Sequence, residues 1–450
     1  MPLYNPVIYD RSLPAQSYWE TTAQPPECSA LQQSETCEVA IIGAGLTGLS
    51  AALHLAQAGV QVAILEAGHP GWGASGRNGG FCCVGATALE PERLLHRFGT
   101  AAVRQFYQQQ REAVELVKAL AAAESLDLEA QGNGEIQVAH HASYLADLAA
   151  EFSFYKNIAD YPCQLWSQSE LVEHGFASPE AVGALHLDVG FGLNPLKYSC
   201  GLAEAVIRRG VKLYAHSPLE TWEQQNGWHE LHSPGGCLKA KTVIVATNGY
   251  TEDRLHPQLS GCLLPVISQI ITTRPLTSAE LAAQNWQTET PVFSTHQPLF
   301  YYRLLKDGRF LFGSRGDTDG SLSERQRRQD WMQRRLGELF PAWQQIEITH
   351  GWNGLVAISA NLTPQIGQLD AQSFYGLAYH GSGVGTATWV GQALAHWILG
   401  KLDPAEISPV FRQPLKSFPI APWRVWLLRG MCGLFAAQNW LKCRERSAAQ

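Results

Sequence analysis

The stretch IIGAGLTG at 41–48 constrains the fold of this chain more than any other, because it lies inside a complete strand–turn–helix–strand pattern. A short apolar run at 38–42 predicts a buried strand before it. Apolar residues at helical spacing follow as far as Gly59, and a second apolar run ends at Glu66. The pattern predicts a βαβ unit with glycines in the G-x-G-x-x-G positions, which is typical of dinucleotide binding.

Each position of this first glycine cluster has a distinct expected task. Gly43 permits the tight turn, Gly45 lets the backbone approach a pyrophosphate, and Gly48 allows the helix to pack closely on the strand. We expect the pyrophosphate at the positive end of the helix, whose first turn contains Leu46 and Thr47.

The end of the second strand and a second glycine cluster distinguish between dinucleotides. Glu66, followed by Ala67, is placed to accept hydrogen bonds from a ribose diol, and its charge disfavours NADP. The stretch GWGASGRNGG at 71–80 then suits a cofactor that reaches beyond one nucleotide, which favours FAD over NAD. The residues expected along the cofactor here are Gly73, Ala74, Ser75, Arg77, Asn78, Gly79 and Gly80.

Composition excludes several other classes of protein. A net charge of −7 over 450 residues argues against nucleic acid as a partner, since phosphate binding needs a basic surface. The ten cysteines show no zinc spacing, so we expect no metal site and mostly reduced, buried thiols. The chain opens with no apolar signal sequence and contains no uncharged run long enough to span a bilayer. We therefore expect a cytoplasmic protein, with peripheral contact at the inner face of the membrane as an open alternative.

Together with three further motifs, the two glycine clusters resemble the FAD-dependent amine and amino-acid oxidoreductases of the D-amino-acid oxidase superfamily. The further motifs are SYWETT at 17–22, VIVATNGYT at 243–251 and YHGSGVGTATWVGQALAHWI at 379–398. The resemblance is greatest to the gamma-glutamylputrescine oxidase-like branch and covers nearly the whole chain.

The resemblance implies an α/β fold, in which a discontinuous Rossmann-like FAD-binding domain is covered by a mixed-sheet α+β substrate domain. The expected ranges are 37–100, 195–255 and 345–400 for the FAD-binding domain, 101–194 and 256–344 for the substrate domain, and 401–450 for a helical tail.

Further cofactor contacts follow from the same resemblance. The helix that follows the glycine-rich turn near 381 would direct its positive end at the negative charge of reduced flavin. The residues expected to contact FAD in these later segments are Val211 beside the adenine, Thr247, Asn248, Gly249, Gly381, Gly383, Val384, Gly385 and Thr386.

The implied reaction transfers a hydride from an amine or amino acid to flavin N5, after which the imine hydrolyses. The expected substrates are gamma-glutamylputrescine or a secondary amino acid such as L-pipecolate, with O2 or a quinone as electron acceptor. Tyr301, Tyr302, Trp352 and His380 are the candidates for the substrate pocket, and Arg303 is a candidate for binding a carboxylate. A non-enzymatic FAD-binding assembly factor is the alternative class. A flavin monooxygenase is disfavoured, because it would need a separate NADPH-binding motif, and the other G-x-G-x-x-G match, GWGASG at 71–76, belongs to the second glycine cluster.

The chain differs from some relatives at two places, and each difference changes what the resemblance implies. Where some relatives attach FAD through a cysteine this chain has Ile358, and where others use a histidine it has Arg77 and Asn78, so FAD is predicted to be noncovalent. The strand that in some oxidases supplies an oxygen-activating lysine has none, since Lys306 precedes it. The resemblance therefore implies reduction of the flavin by the substrate more strongly than reaction of the reduced flavin with O2.

The tail at 417–441 is predicted to form a helix that either packs on the FAD-binding domain or lies at a membrane surface.

Overall fold

Two eight-stranded sheets form the framework of the protein, which a computed structural model describes over residues 3–430. In the described part the strands are β1 (Glu35–Ile42), β2 (Val62–Leu65), β3 (Phe81–Cys83), β4 (Glu135–Ala139), β5 (Cys163–Ser167), β6 (Gly183–Leu187), β7 (Gly190–Gly192), β8 (Lys212–Tyr214), β9 (Thr221–Gln225), β10 (Trp228–Ser233), β11 (Gly236–Val245), β12 (Leu263–Pro275), β13 (Val292–Ser294), β14 (Phe300–Leu304), β15 (Arg309–Arg315), β16 (Ile348–Ser359), β17 (Gln365–Asp370) and β18 (Ser373–Leu377). The helices are α1 (Leu46–Gln57), α2 (Ala74–Arg77), α3 (Pro91–Glu124), α4 (Leu145–Phe154), α5 (Gln168–His174), α6 (Pro195–Arg208), α7 (Ser278–Ala283), α8 (Leu322–Leu339) and α9 (Gly383–Ile398).

The first sheet confirms the predicted βαβ unit. Its strands run in the order β17-β18-β11-β1-β2-β8, and β18, β11, β1, β2 and β8 are mutually parallel. All four residues of β2 are buried: Val62 and Ile64 pack against the helices on one face of the sheet, and Ala63 and Leu65 lie in a cluster with Leu231 of β10 on the other. Helices α1 and α9 pack against each other on this sheet. The predicted strand before Asn248 is β11, which pairs with β1.

The second sheet is mixed, as the resemblance implied, with the order β16-β12-β15-β14-β13-β4-β6-β5. Strands β14 and β15 pair antiparallel across the turn at Asp307 and Gly308, which confirms the predicted hairpin. One face carries a cluster of aromatic and aliphatic side chains that packs against α8. The other face turns toward the parallel sheet.

The structure differs from the predicted domain ranges where the FAD-binding domain was expected to resume. Strand β16 hydrogen-bonds to β12 and belongs to the second sheet, although the predicted FAD-binding domain resumes at 345. The apolar run at 348–359 therefore reads as part of the substrate-side sheet, and the chain returns to the parallel sheet at β17.

The predicted tail helix at 417–441 can be followed only to residue 430, and residues 431–441 lie outside the described residues. A turn at Ala421–Trp423 leads into a helical segment at 424–430. Within residues 3–430, no helix has both the length and the apolar character needed to cross a membrane.

One cluster of three possible metal ligands lies in the described part of the chain, although the sequence predicts no metal site. Ligand atoms of Glu230, His232 and Cys237 lie within 4.8 Å of one another on the β10–β11 hairpin. Lys239 Nζ lies 2.7 Å from Glu230 Oε1, so a cation already neutralises this carboxylate.

Candidate functional site

A cavity of about 1870 Å³ opens at the carboxyl ends of the parallel strands and continues to the second sheet. Ile42, Leu65 and Ala246, at the ends of β1, β2 and β11, form its floor. Ligand pockets commonly have volumes of about 300–1,000 Å³, so this cavity has room for a long cofactor and a second molecule. Open α/β sheets bind ligands at this edge.

The first glycine cluster makes the floor of the cavity accessible to a ligand. Gly43 has a φ of +105°, and a Cβ there would lie 3.0 Å from Ala246 O. A Cβ on Gly45 would lie 2.9 Å from Ser75 Oγ, which accepts a hydrogen bond from Leu46 N. Gly48 does not line the cavity, and a Cβ there would lie 2.0 Å from Gly43 O. Gly48 therefore has the packing task expected of it.

Two helices direct their N-termini at this cavity. The first residues of α1 (Leu46, Thr47) and of α9 (Gly383, Val384) line it, and neither helix has a side-chain N-cap. The helix dipole makes such ends anion sites, with Leu46 N of α1 already donating to Ser75 Oγ at 3.0 Å. The hydroxyl oxygens of Thr47 and Tyr379 are 2.6 Å apart and link the two ends.

Residues further along α9 have a different position from the one predicted. Gly385 and Thr386 do not line the cavity. A Cβ on Gly385 would lie 3.3 Å from Ala113 C, and Thr386 Oγ1 lies 3.2 Å from Gln110 Oε1. These two residues pack α9 against α3, whereas Gly383, Val384 and Ala387 of the helix and the turn at Gly381 line the cavity.

Glu66 lies at the tip of β2 and lines the cavity beside Ala67. Its carboxylate accepts hydrogen bonds from Ala44 N and Gly68 N, each at 2.7 Å. Burial raises the pKa of Glu66, and the two backbone donors oppose that rise. The carboxylate is thus held at the place predicted for a ribose contact.

Three buried side chains fix the second glycine cluster through its backbone. Trp352 Nε1 donates to the carbonyl of Arg77 at 2.7 Å, Trp19 Nε1 to that of Asn78 at 2.9 Å, and Arg303 Nε to that of Gly79 at 2.9 Å. The donors come from β16, the N-terminal segment and β14, and all three side chains are at most 1% exposed. We call this set the carbonyl brace (Trp19, Arg303 and Trp352).

The carbonyl brace corrects the predicted roles of two residues. Arg303 and Trp352 do not line the cavity, and Arg303 also donates to Leu193 O. Burial lowers the pKa of the Arg303 guanidinium to about 10. Because its donors point at backbone carbonyls beneath the glycine cluster, Arg303 does not face a substrate carboxylate.

Tyr302 also lies away from the cavity. It is 3% exposed and packs among the rings of Phe176, Trp286 and Phe340 on the helix-covered face of the second sheet. Its neighbour Tyr301 points to the opposite face, as the alternation of a strand requires, and lines the cavity. The sequence placed both tyrosines at the site, and the structure brings only Tyr301 there.

The polar side chains of the second glycine cluster mostly bond within it. Asn78 Nδ2 donates to Ala74 O at 3.0 Å, and Asn78 Oδ1 accepts from Gly80 N at 2.8 Å. The Arg77 guanidinium lies 4.2 Å from the Trp72 ring centroid, and both residues line the cavity with Gly73, Ala74, Ser75, Asn78 and Gly79. Gly80 lies behind this wall, where a Cβ would be 1.9 Å from Leu193 O.

The structure differs from the prediction for Val211, which concerned the far end of the cavity. This residue precedes β8 and does not line the cavity, whereas Leu219 and Trp222, beyond the carboxyl end of that strand, do. Thr247 and Asn248 line the wall between the two ends as predicted. Gly249 instead packs against β16, where a Cβ would lie 3.0 Å from Leu355 O.

At the second-sheet end, the cavity meets a row of residues from neighbouring strands. In register these are Gln137 on β4, Phe293 on β13, Tyr301 on β14 and Gly313 on β15. A Cβ on Gly313 would lie 2.1 Å from the Tyr301 ring, so the glycine lets the tyrosine lie across β15. Tyr301 Oη lies 2.8 Å from Ser268 Oγ, and burial raises the pKa of Tyr301 to about 12.

His380 lines the cavity in the turn before α9, with a φ of +52°. Its Nε2 lies 3.3 Å from Ser359 Oγ, and burial lowers its pKa to about 4. The imidazole is therefore neutral at neutral pH and a weak proton acceptor. Its geometry is better suited to holding the turn between β18 and α9 than to accepting a proton.

The sequence reading missed a group of carboxylates at this end. Glu135 on β4 is 5% exposed, lies against the Cys83 thiol and Val84 N–H, and has its pKa raised to about 8 by burial. Glu151 on α4 bonds Gln137, and burial raises its pKa to about 7. Both line the cavity. An acid within the apolar strand EIQVA was the available signal.

Arg11 was also missed, because no motif surrounds it. It lines the cavity from the N-terminal segment, and its guanidinium lies 5.9 Å from the Trp72 ring centroid, on a ring that Arg77 also approaches. Two arginines near the first glycine cluster add positive charge where two helix ends already favour an anion.

These residues fit a flavin dinucleotide. Glycines clear the floor, two uncapped helix ends and two arginines offer anion sites, an acid stands at the ribose position, and the remaining space reaches an aromatic wall. The fold and the site thus define an FAD-binding oxidoreductase. The chain belongs to the FAD dependent oxidoreductase (DAO) family, which it matches over residues 38–397.

Several proteins are similar to the chain over most of its length. The chain is 30% identical to the probable oxidoreductase OrdL of Haemophilus influenzae, over 88% of this chain and 91% of that protein. It is likewise 30% identical to the gamma-glutamylputrescine oxidoreductase of Escherichia coli, over 86% and 89%. The crystal structure of glycine oxidase from Geobacillus kaustophilus superposes with a TM-score of 0.70 at 22% identity, over 84% of this chain and 99% of that one.

The carbonyl brace makes a testable prediction about cofactor affinity. Hydrogen bonds to charged groups contribute about 1.5–3 kcal/mol, so Arg303→Met should weaken FAD binding to the apoprotein roughly tenfold or more. Trp352→Phe, which loses one neutral hydrogen bond of about 1 kcal/mol, should weaken it about fivefold. Titration of FAD by fluorescence measures both.

Tyr302→Phe is the matched control, because this side chain lies on the other face of the sheet and should leave FAD affinity unchanged. An Arg303→Met protein that binds FAD normally but shows a raised KM for a carboxylate-bearing substrate would restore the predicted substrate role of Arg303.

Proposed function

We propose that this enzyme oxidises the C–N bond of an amine that also bears a carboxylate, giving an imine that hydrolyses. The supporting observation is the pair of carboxyl groups, buried Glu135 and half-buried Glu151, in the cavity wall beyond the flavin site. No lysine lines the cavity within the described residues, so the chain itself supplies no ammonium to these acids. The ammonium group of a bound substrate would supply that positive charge to the two acids.

The opposite corner of the same sheet face suggests where the carboxylate of the substrate would bind. Arg315 at the end of β15 lines the cavity, and β14 and β13 lie between β15 and β4. Three strand spacings amount to about 14 Å, a span that favours a long substrate over a small amino acid. Gamma-glutamylputrescine has both charges and such a length, and the Escherichia coli relative is named for that reaction.

Bound FAD supplies the hydride acceptor at flavin N5. The chain's own residues then have three tasks. The carboxylate of Glu135 takes a proton from the substrate ammonium, because only the neutral amine can release a hydride. Tyr301 and Phe293 exclude water with an aromatic wall. Glu151 and Gln137 orient the cationic end.

The finer assignments remain predictions: L-pipecolate or another secondary amino acid as substrate, O2 or quinone as acceptor, and a cytoplasmic location. The alternative of a non-enzymatic FAD-binding assembly factor makes no use of buried acids beside the flavin site. Such acids are costly to fold around and need a reason to be retained.

Anaerobic reduction of the bound flavin tests the proposed function. Gamma-glutamylputrescine, putrescine, L-pipecolate and glycine are mixed in turn with the FAD-loaded enzyme, and bleaching of the flavin absorbance is followed. We expect the fastest bleaching with the long substrate that carries both charges. An FAD-loaded protein that none of these compounds bleaches would support the assembly factor instead.

The pKa of Glu135, near 8, predicts the pH profile of that reduction. Below pH 8 the group is a neutral acid, and above pH 8 it is a carboxylate able to accept a proton. The value of kcat/KM should therefore rise about tenfold per pH unit up to pH 8, before flattening. Glu135→Gln should remove this limb and lower the rate about 10²–10⁴-fold.

His380→Asn serves as the matched control, since a histidine with a pKa of about 4 titrates outside this range. It should keep the limb near pH 8. A limb that survives in Glu135→Gln and vanishes in His380→Asn would exchange the two roles.

Release of the flavin by acid tests the predicted noncovalent binding. Ile358 lines the cavity where a tethering cysteine would stand, and its side chain offers no nucleophile. Precipitation with trichloroacetic acid should leave all the yellow colour in the supernatant. A yellow pellet would show a covalent link at another residue.

A further inference from the structure

The C-terminal segment displays a band of large apolar side chains at the surface. Trp423 and Trp426 are each 59% exposed, Ile420 is 64% exposed and Leu427 is 42% exposed. Positions 423, 426 and 427 have i, i+3 and i+4 spacing in a helical stretch, so their side chains share one face. We call these four residues the tryptophan patch (Ile420, Trp423, Trp426, Leu427).

The opposite face of the segment is held firmly to the protein. Arg424 is 2% exposed, and its two terminal nitrogens donate to the two carboxylate oxygens of Asp253 at 2.9 and 2.8 Å. Val425 and Leu428 are buried in a cluster with Ile267. The patch is therefore exposed on a packed segment, and its exposure is not the result of a loose end.

The charge of this part of the chain is opposite to that of the whole. Residues 416–450 contain six basic residues and one acidic residue, although the chain has a net charge of −7. Lys416 precedes the patch, and the Arg429 guanidinium lies 4.7 Å from the Trp426 ring centroid. Beyond the described residues the sequence adds Lys442, Arg444 and Arg446.

We infer that the tryptophan patch docks this enzyme on an anionic lipid surface. Tryptophan and leucine beside basic residues suit the headgroup boundary, where the apolar rings enter the acyl region and the cations meet phosphate. A second copy of this chain fits less well as the occupant. Self-association through the patch would bring the same cations of two copies together, at an electrostatic cost that anionic lipid removes.

Docking at this face would also bring the flavin cavity near the lipid. Val425 and Leu428 pack against the cluster that contains Ile267 and Leu355, and both of these residues line the cavity. One apolar cluster thus joins the docked segment to the cavity wall, which suits an electron acceptor dissolved in the membrane.

Flotation of the full-length, FAD-loaded enzyme with vesicles tests the inference. We expect the enzyme to float with vesicles of equal phosphatidylglycerol and phosphatidylcholine, less with phosphatidylcholine alone, and less again in 1 M salt. The double variant Trp423→Ser/Trp426→Ser should bind the anionic vesicles at least about tenfold more weakly, because two large apolar side chains no longer enter the lipid.

Leu165→Ser is the matched control, since Leu165 is 40% exposed on β5 of the second sheet and should leave flotation unchanged. Flavin content and anaerobic reduction in solution verify that each variant is folded. A native enzyme that does not float with anionic vesicles, or a double variant that floats as well as the native one, would overturn the inference. So would a native dimer in light scattering that the double variant converts to a monomer.

Discussion

The hydrogen bonds to three consecutive carbonyls, those of Arg77, Asn78 and Gly79, support most of what the site requires. A glycine-rich segment has little side-chain packing of its own, and each glycine loses much conformational freedom on ordering. The carbonyl brace restrains it from below, so its other side is free to line the cavity. Its donors come from the N-terminus and from β14 and β16 of the second sheet. The cofactor site is therefore complete only when the second sheet has docked against the first.

Charge is distributed unequally along the cavity. One end has two helix N-termini, Arg11 and Arg77, which together favour the pyrophosphate of a dinucleotide. The other end has Glu135 and Glu151, whose raised pKa values show that little positive charge offsets their burial. The first end thus attracts a long anionic cofactor, whereas the second end offers acids that, on the proposed function, become carboxylates when a substrate ammonium binds. The same polarity makes the reverse arrangement unfavourable, and this gives orientation without a large number of direct contacts.

Sequence reasoning predicted the features that depend on neighbouring residues. The βαβ unit, the hairpin around Asp307 and the strand–turn–helix before α9 follow from local periodicity and glycine positions. The roles of Arg303 and Trp352 could not be predicted in this way, because their partners Gly79 and Arg77 are more than 200 positions away in the chain. A polar side chain in a strand can face a cavity or a buried carbonyl, and only the docking of two sheets decides between them.

The buried acids show a second limit of prediction from the sequence. Glu135 shares a face of β4 with Gln137, so alternation predicts a polar position, yet Glu135 is 5% exposed, and a carboxylate buried without a cation destabilises the fold. The protein meets this by keeping the group neutral near pH 7, as its raised pKa indicates. On the proposed function, arrival of a substrate ammonium reverses that preference: the cation stabilises the carboxylate and lowers its pKa, while the apolar wall lowers the pKa of the ammonium. Proton transfer between them then becomes nearly balanced, so a group that is costly in the empty cavity becomes a suitable base once the substrate is bound.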